Sequence, residues 1–220
     1  WHRKEELPGY KKFLIQIKEE SINGLNMKKL DEGFLIYEEK RDRIFEKIIP
    51  DIAIFLASLS NEQINFLEKK MMEENKEISS KNEDRKKILE KRKEIFVEQM
   101  ENWFGEFNDN QIDQFNELQI QWYEESSGLR KNRIKLRLKT QERFLTMLRS
   151  NPDKTIIEKW LRKWIFSMID INNHRRKERI LRNKKRILTV DKILTSEQRL
   201  KAVKELDQWI EVISETIETS

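Results

Sequence analysis

The chain has 220 residues, with 45 Lys and Arg against 40 Asp and Glu and a net charge of +5. Charged residues make up 39%, well above the roughly 25% of an ordinary globular chain. Only 5 Gly and 3 Pro interrupt them, too few for the tight turns of a sandwich or barrel. An all-α protein is predicted, while 6 Trp and 11 Phe exclude a disordered polyelectrolyte. No apolar run approaches the ~18 residues of a membrane span. With no Cys, disulfides, thiol nucleophiles and Cys-based zinc sites are excluded.

The first helix is predicted over 10–22, where Tyr10, Phe13, Leu14 and Ile17 recur at helical spacing. Asn23-Gly24 ends it. A second helix follows over 27–49, with Leu30, Phe34, Tyr37, Ile44 and Ile48 on one side. Pro50 suits the first turn of a short apolar helix over 51–59. A long charged helix starts at Asn61 and either reaches Phe104 or breaks near Ser79-Ser80-Lys81-Asn82. Its apolar positions are too sparse for sustained coiled-coil heptads. Next comes a helix over 109–125, a break at Ser126-Ser127-Gly128 and a basic helix over 129–149. Asn151-Pro152-Asp153 reads as a restart, with Asn151 as cap and Pro152 at the first helical position. The helix it opens carries Ile156, Ile157, Trp160, Leu161, Trp164, Ile165, Met168 and Ile169 in pairs every four residues. The pairing reads Trp160 and Trp164 as core, with a membrane- or client-facing edge as the alternative. A basic stretch to Arg186 follows. The last helix, 196–217, is expected to bury Leu200, Val203, Leu206, Trp209, Ile210 and Ile213. The fold class is therefore all-α, an elongated antiparallel bundle or hairpin array of seven to nine helices without β-sheet. It forms one domain over 1–220, with a soft boundary near 126–128 between an acidic half and a basic half.

Three helix starts repeat one device: Leu59-Ser60-Asn61-Glu62-Gln63, Phe107-Asn108-Asp109-Asn110-Gln111 and Leu194-Thr195-Ser196-Glu197-Gln198. In each, the cap side chain (Ser60, Asn108, Thr195) accepts from the N3 amide. Gln63, Gln111 or Gln198 reaches back to the cap amide. The preceding apolar residue staples onto N4, Leu59 onto Ile64 and Phe107 onto Ile112. A degenerate fourth copy, Leu25-Asn26-Met27-Lys28-Lys29, has Lys where Gln would complete the box. These residues read as structural helix caps.

The repeated L-[ST]-x-x-Q pattern is similar to that of the Spy/CpxP class of bacterial periplasmic proteins. A second resemblance covers most of the chain. Trp1-His2-Arg3-Lys4-Glu5-Glu6-Leu7-Pro8-Gly9-Tyr10, the Leu59–Gln63 box and Trp103-Phe104 ahead of the Phe107–Gln111 box resemble a helical family of proteobacterial envelope lipoproteins of unknown function. Asn108 and Phe107 replace the usual Ser/Thr and Leu and keep the same physics. The resemblance implies export, a lipid anchor on an upstream Cys and a periplasm-facing body. It brings no catalytic residues.

The modest net charge hides a gradient. Residues 1–128 hold 21 basic and 28 acidic groups, 129–186 hold 20 and 5, and 187–220 hold 4 and 7. Arg130, Lys131, Arg133 and Arg137 form one end of the basic segment; Arg175, Arg176, Arg179, Arg182, Lys185 and Arg186 form the other. Three readings compete. The charges offset the acidic half within the fold; they recruit an anionic envelope component or a protein; or they hold nucleic acid in a cytosolic protein. The last is disfavoured because the basic helices carry few aromatics that could stack bases and no reader motif is present. His2 and His174 are the only imidazoles, and Asp170 with His174 reads as a surface ion pair in a field unsuited to a cation. No GxGxxG, GxxxxGK[ST], GxSxG or HExxH is present. The expected function is non-catalytic binding, possessing neither metal nor cofactor.

Overall fold

The computed structural model describes residues 1–80, 85–169 and 174–219. They are all-α: a π-helical turn, His2–Glu6, then α1 (Leu7–Ser21), α2 (Met27–Ala57), α3 (Asn61–Ser80), α4 (Arg85–Phe104), α5 (Asp109–Arg149), α6 (Lys154–Ile169), α7 (His174–Ile193) and α8 (Ser196–Glu218). No strand occurs among the described residues, and no helix there is long and apolar enough to cross a membrane. The chain divides into two compact units, and α2, α4, α5 and α7 each supply residues to both.

One unit comprises Phe45–Glu94 and Asn116–Arg176. Its core cluster is aliphatic: Ile49 and Ala53 of α2, Ile64 of α3, Leu145 and Leu148 of α5, and Ile157 and Leu161 of α6. The spacings of three and four place each pair on one helix face. Burying an Ile or Leu fully stabilises by about 1.5–3 kcal/mol, so this cluster dominates the unit. Leu59 packs against it from the corner before α3. Polar pairs run beside it in antiparallel order, Glu68 and Asn65 to Arg149 near one end, Glu74 and Asn75 to Arg137 further on.

The other unit comprises Trp1–Ile44, Ile95–Phe115 and Lys177–Ser220. Here α1 packs on α8, with Lys18 and Asp207 paired at 2.5 Å. Phe115 is fully buried, and Phe107 and Phe96 meet it edge-on at 4.9 and 5.6 Å between ring centroids. Leu30, Ala202, Val203 and Leu206 are also buried.

Several expectations about boundaries change. Pro50 lies inside α2 rather than opening a new helix. It supplies no N–H to the carbonyl four residues back, but Ile49 and Ala53, fully buried on either side, keep the segment in register. Ser126-Ser127-Gly128 does not break α5. Ser126 Oγ bonds the Tyr123 carbonyl at 3.0 Å, and a Cβ at Gly128 would meet nothing within 4 Å. A Gly costs a helix only about 1 kcal/mol. The expected break near Ser79–Asn82 falls largely on 81–84, outside the described residues. Asn151 (φ 49°) follows the end of α5 instead of capping α6. Asp153 is the cap: its Oδ1 accepts from the amides of Thr155 (2.7 Å) and Ile156 (3.1 Å). Those amide bonds hold its carboxyl below the usual aspartate range. On α8, Val203 and Leu206 are buried as expected, whereas Leu200 and Trp209 face solvent and Ile210 and Ile213 are half-buried.

Candidate functional site

The helix-start residues form reciprocal bonds at all three boxes. Ser60 and Gln63 exchange bonds of 3.3 and 2.9 Å, Asn108 and Gln111 of 2.9 and 3.2 Å, and Thr195 and Gln198 of 3.2 and 2.9 Å. In the degenerate copy, Asn26 Oδ1 accepts from the Lys29 amide at 3.0 Å, and Lys29 Nζ instead donates to the Glu20 and Gly24 carbonyls. Gly24 has φ +80°, and a Cβ there would sit 3.3 Å from Asp191 Oδ2, so both conformation and space favour Gly.

Two of the boxes also join each other. Gln111 Nε2 donates to Gln198 Oε1 at 2.9 Å, and Gln198 Nε2 donates to Gln111 Oε1 at 3.2 Å. Each amide then bonds the carbonyl two residues before the other's cap: Gln111 to Ile193 and Gln198 to Glu106, both at 2.9 Å. Both side chains are buried, at 5% and 8% exposure. The arrangement has approximate two-fold symmetry and uses every donor and acceptor of the two amides. Phe107, expected to staple onto Ile112, meets Phe115 edge-on.

Two further polar centres lie in the same unit. Glu6, at 0% exposure, is ion-paired to Arg43 at 2.7 Å and Lys40 at 3.8 Å. Tyr10 stands nearby, its phenol raised above the usual value by burial first and by the Glu6 charge second. Asp191 is ion-paired to Arg199 and accepts from the Leu25 amide at 3.1 Å. It thereby fastens the α7–α8 corner to the turn before α2. The sequence reading passed over both carboxylates. The Glu6 signal was there: an acid in the densest block of the family-like pattern.

Several of the basic residues are held by partners within the fold. Arg137 is held by Glu74 at 2.5 Å and Asn75 at 2.9 Å, Arg149 by Glu68 at 2.5 Å, and Arg162 by Glu46 and Glu158. Hydrogen bonding to Glu68 raises the Arg149 guanidinium pKa, and Arg149 lowers that of Glu68. Lys184 is buried, paired to Asp31 at 2.7 Å and seated 4.9 Å from the Phe34 ring centroid. Arg176 is buried too, and Arg186 is half-buried. Offsetting within the fold therefore accounts for part of the segment. The side chains of Arg130 and Lys131 lie outside the described residues. Arg175 and Arg133 are exposed.

On α7, Arg179, Arg182 and Lys185 follow one another at intervals of three and so share a face. Arg179 and Lys185 are exposed and Arg182 is half-exposed, opposite the side that carries buried Lys184 and Asp191. None of the three has an ion pair with another described residue. Glu178 is the one acidic residue near them along the helix. Of the expected pair near this helix, Asp170 lies outside the described residues. No group of three or more His, Asp and Glu is placed to hold a metal ion among the described residues.

The aromatic residues of α6 divide as well. Trp160 packs on the aliphatic cluster, its ring 5.1 Å from Phe144 and 5.6 Å from Trp164. Trp164 is 40% exposed and Ile156 50%. The stripe read as core is core on the side of Ile157 and Leu161 and open on the side of Ile156 and Trp164.

No curated protein and no solved structure matches the chain. A family model does match, over residues 1–162 and hence over well more than half of it, so the chain belongs to a family of unknown function, DUF6279.

Proposed function

We propose that this chain is the helical body of a bacterial envelope lipoprotein. In this reading it binds an anionic envelope component through α7, by contacts that form and release quickly in the manner of a chaperone. The repeated helix-start boxes and the Trp1–Tyr10 block support the envelope assignment through their resemblance to exported helical proteins. One observation carries the binding role: the row Arg179, Arg182 and Lys185, exposed at its two ends and half-exposed at Arg182, without a carboxylate partner among the described residues. Charges left solvated on one face create a field that accelerates encounter with an anion. The reading assigns the chain no reaction. The row lies beyond residue 162, where the family match ends, so the role is proposed for this chain rather than for the family.

The test uses fluorescently labelled lipopolysaccharide and anisotropy. Replacing Arg179, Arg182 and Lys185 by Glu should weaken binding by tenfold or more, since each reversal costs on the order of 1 kcal/mol at a charged surface. Helicity by circular dichroism should be unchanged, because none of the three is part of a core. Raising the salt should weaken wild-type binding as the charges are screened. Binding that survives the triple reversal, or ignores salt, removes the proposal. Tighter binding to single-stranded RNA than to lipopolysaccharide, with a steep salt slope, moves the row to nucleic-acid capture.

A further inference from the structure

We infer that α6 is a second contact surface, one that seats against the headgroup boundary of an anionic bilayer. It belongs to different residues, in the other unit, and stands or falls apart from the α7 row.

Ile156, Trp160 and Trp164 recur every four residues and form one edge of α6. The inner side of this helix is committed to the cluster through Ile157 and Leu161. The edge is not, since Ile156 and Trp164 face solvent. Phe144, Trp160 and Trp164 stand in sequence at 5.1 and 5.6 Å with interplanar angles of 37° and 30°. The first two are anchored against the cluster. The indole of Trp164 is thus held in place and presented, with little rotamer freedom left to lose on binding. Neither indole N–H bonds a described residue.

Beside this edge lie Lys159 and Lys163, one turn apart and both exposed. Arg162, between them in sequence, is turned inward to Glu46 and Glu158. The acidic neighbour Glu158 is thereby engaged, and neither lysine forms an ion pair with a described residue, although Lys159 also feels the more distant Asp153 carboxylate. An indole row next to an ammonium row matches the two layers of a bilayer surface. Indoles prefer the boundary, where an apolar ring meets wet ester groups. Lysines hold anionic headgroups at about 1 kcal/mol each, roughly fivefold in partitioning. A purely aqueous anion would satisfy the lysines and leave the indoles without a role. A purely apolar client would do the reverse. Charge complementarity therefore selects an anionic lipid surface over both.

The experiment uses the full chain and unilamellar vesicles of phosphatidylcholine, with and without about one-third phosphatidylglycerol. The acyl chains are brominated near the headgroup to quench tryptophan. Wild type should be quenched on the anionic vesicles and little on the neutral ones. Trp160→Phe with Trp164→Phe should remove most of the quenching while the protein still sediments with the vesicles. Lys159→Gln with Lys163→Gln should weaken partitioning by about 25-fold. Since both lysines are exposed, that variant keeps its fold. Absence of quenching, equal quenching on neutral vesicles, quenching unaltered by the double Phe variant, or partitioning unaltered by the double Gln variant would each overturn the inference. Failure here alongside intact lipopolysaccharide binding sinks α6 alone. Retained quenching in the Arg179, Arg182 and Lys185 reversal variant shows that α6 reaches the bilayer without that row.

Discussion

The unit formed by Phe45–Glu94 and Asn116–Arg176 is centred on a cluster of Ile, Leu and Ala side chains. The unit formed by Trp1–Ile44, Ile95–Phe115 and Lys177–Ser220 sets Glu6, Gln111, Lys184, Asp191 and Gln198 among its buried aromatic and aliphatic groups. The first unit also buries Gln119 and Arg176, so the contrast is one of degree between two ways of fixing helices in a chain with 39% charged residues. Apolar burial is non-directional and scales with area. Buried polar groups demand complete partners, and they specify one arrangement because any other leaves a donor or acceptor stranded.

The largest effect is expected where the first mode is deepest. Ile49→Ala or Ile157→Ala should cost about 2–5 kcal/mol by urea unfolding, as for other buried aliphatic truncations. Values below about 1 kcal/mol would mean that the cluster collapses around the loss and does not dominate its unit. Next come the paired amides. Gln111→Ala and Gln198→Ala should each cost about 1–3 kcal/mol, because each strands the other amide in a buried place. The double variant should cost clearly less than the sum, with a coupling of about 0.5 kcal/mol or more. Strict additivity would show two independent caps and erase the contrast between the units.

A smaller effect concerns Asp153. Its carboxyl is held low by the Ile156 and Thr155 amides. A group whose folded value is depressed contributes stability above its ordinary range and loses it as the pH falls. Unfolding followed by circular dichroism should therefore show a loss below about pH 4, and Asp153→Asn should flatten it. If the slope is the same in both proteins, the cap carries no charge-dependent share. The smallest effect belongs to Leu200→Gln. This residue is exposed, so the change should stay within about 0.5 kcal/mol; a larger loss would place Leu200 in a core that the structure does not give it.

The helical class, the order of the elements and the three cap boxes were legible because they rest on local rules. These are scarce turn formers, 3.6-residue spacing and a side chain reaching three residues along its own helix. The misread boundaries share a cause. Pro50 and Gly128 carry real penalties against helix, but the penalties are small beside what flanking contacts supply; only packing shows that Ile49 and Ala53 are buried around the proline. Leu200 and Trp209 failed differently: an apolar residue at helical spacing reports a face, and nothing local says where that face ends. The candidate site was half legible. Counting charges located the segment. It could not tell Arg137, tied to Glu74, from Arg179, because partners more than sixty positions away are invisible to a count. The cross-bonding of Gln111 with Gln198 was equally hidden, because a capping box reports only its own helix start.

That amide pair spans 87 positions, and this has a bearing on biosynthesis. The aliphatic unit has all of its residues once position 176 has left the ribosome. The other unit waits for 177–220, since Gln198, Asp191 and Arg199 all arrive in that last stretch. Until then Gln111 lacks its partner amide and α1 lacks α8, the helix it packs on. A nascent chain stalled before α8 thus holds every residue of one unit and lacks part of the other, and the emergence of α8 is what supplies Gln111 with its partner amide.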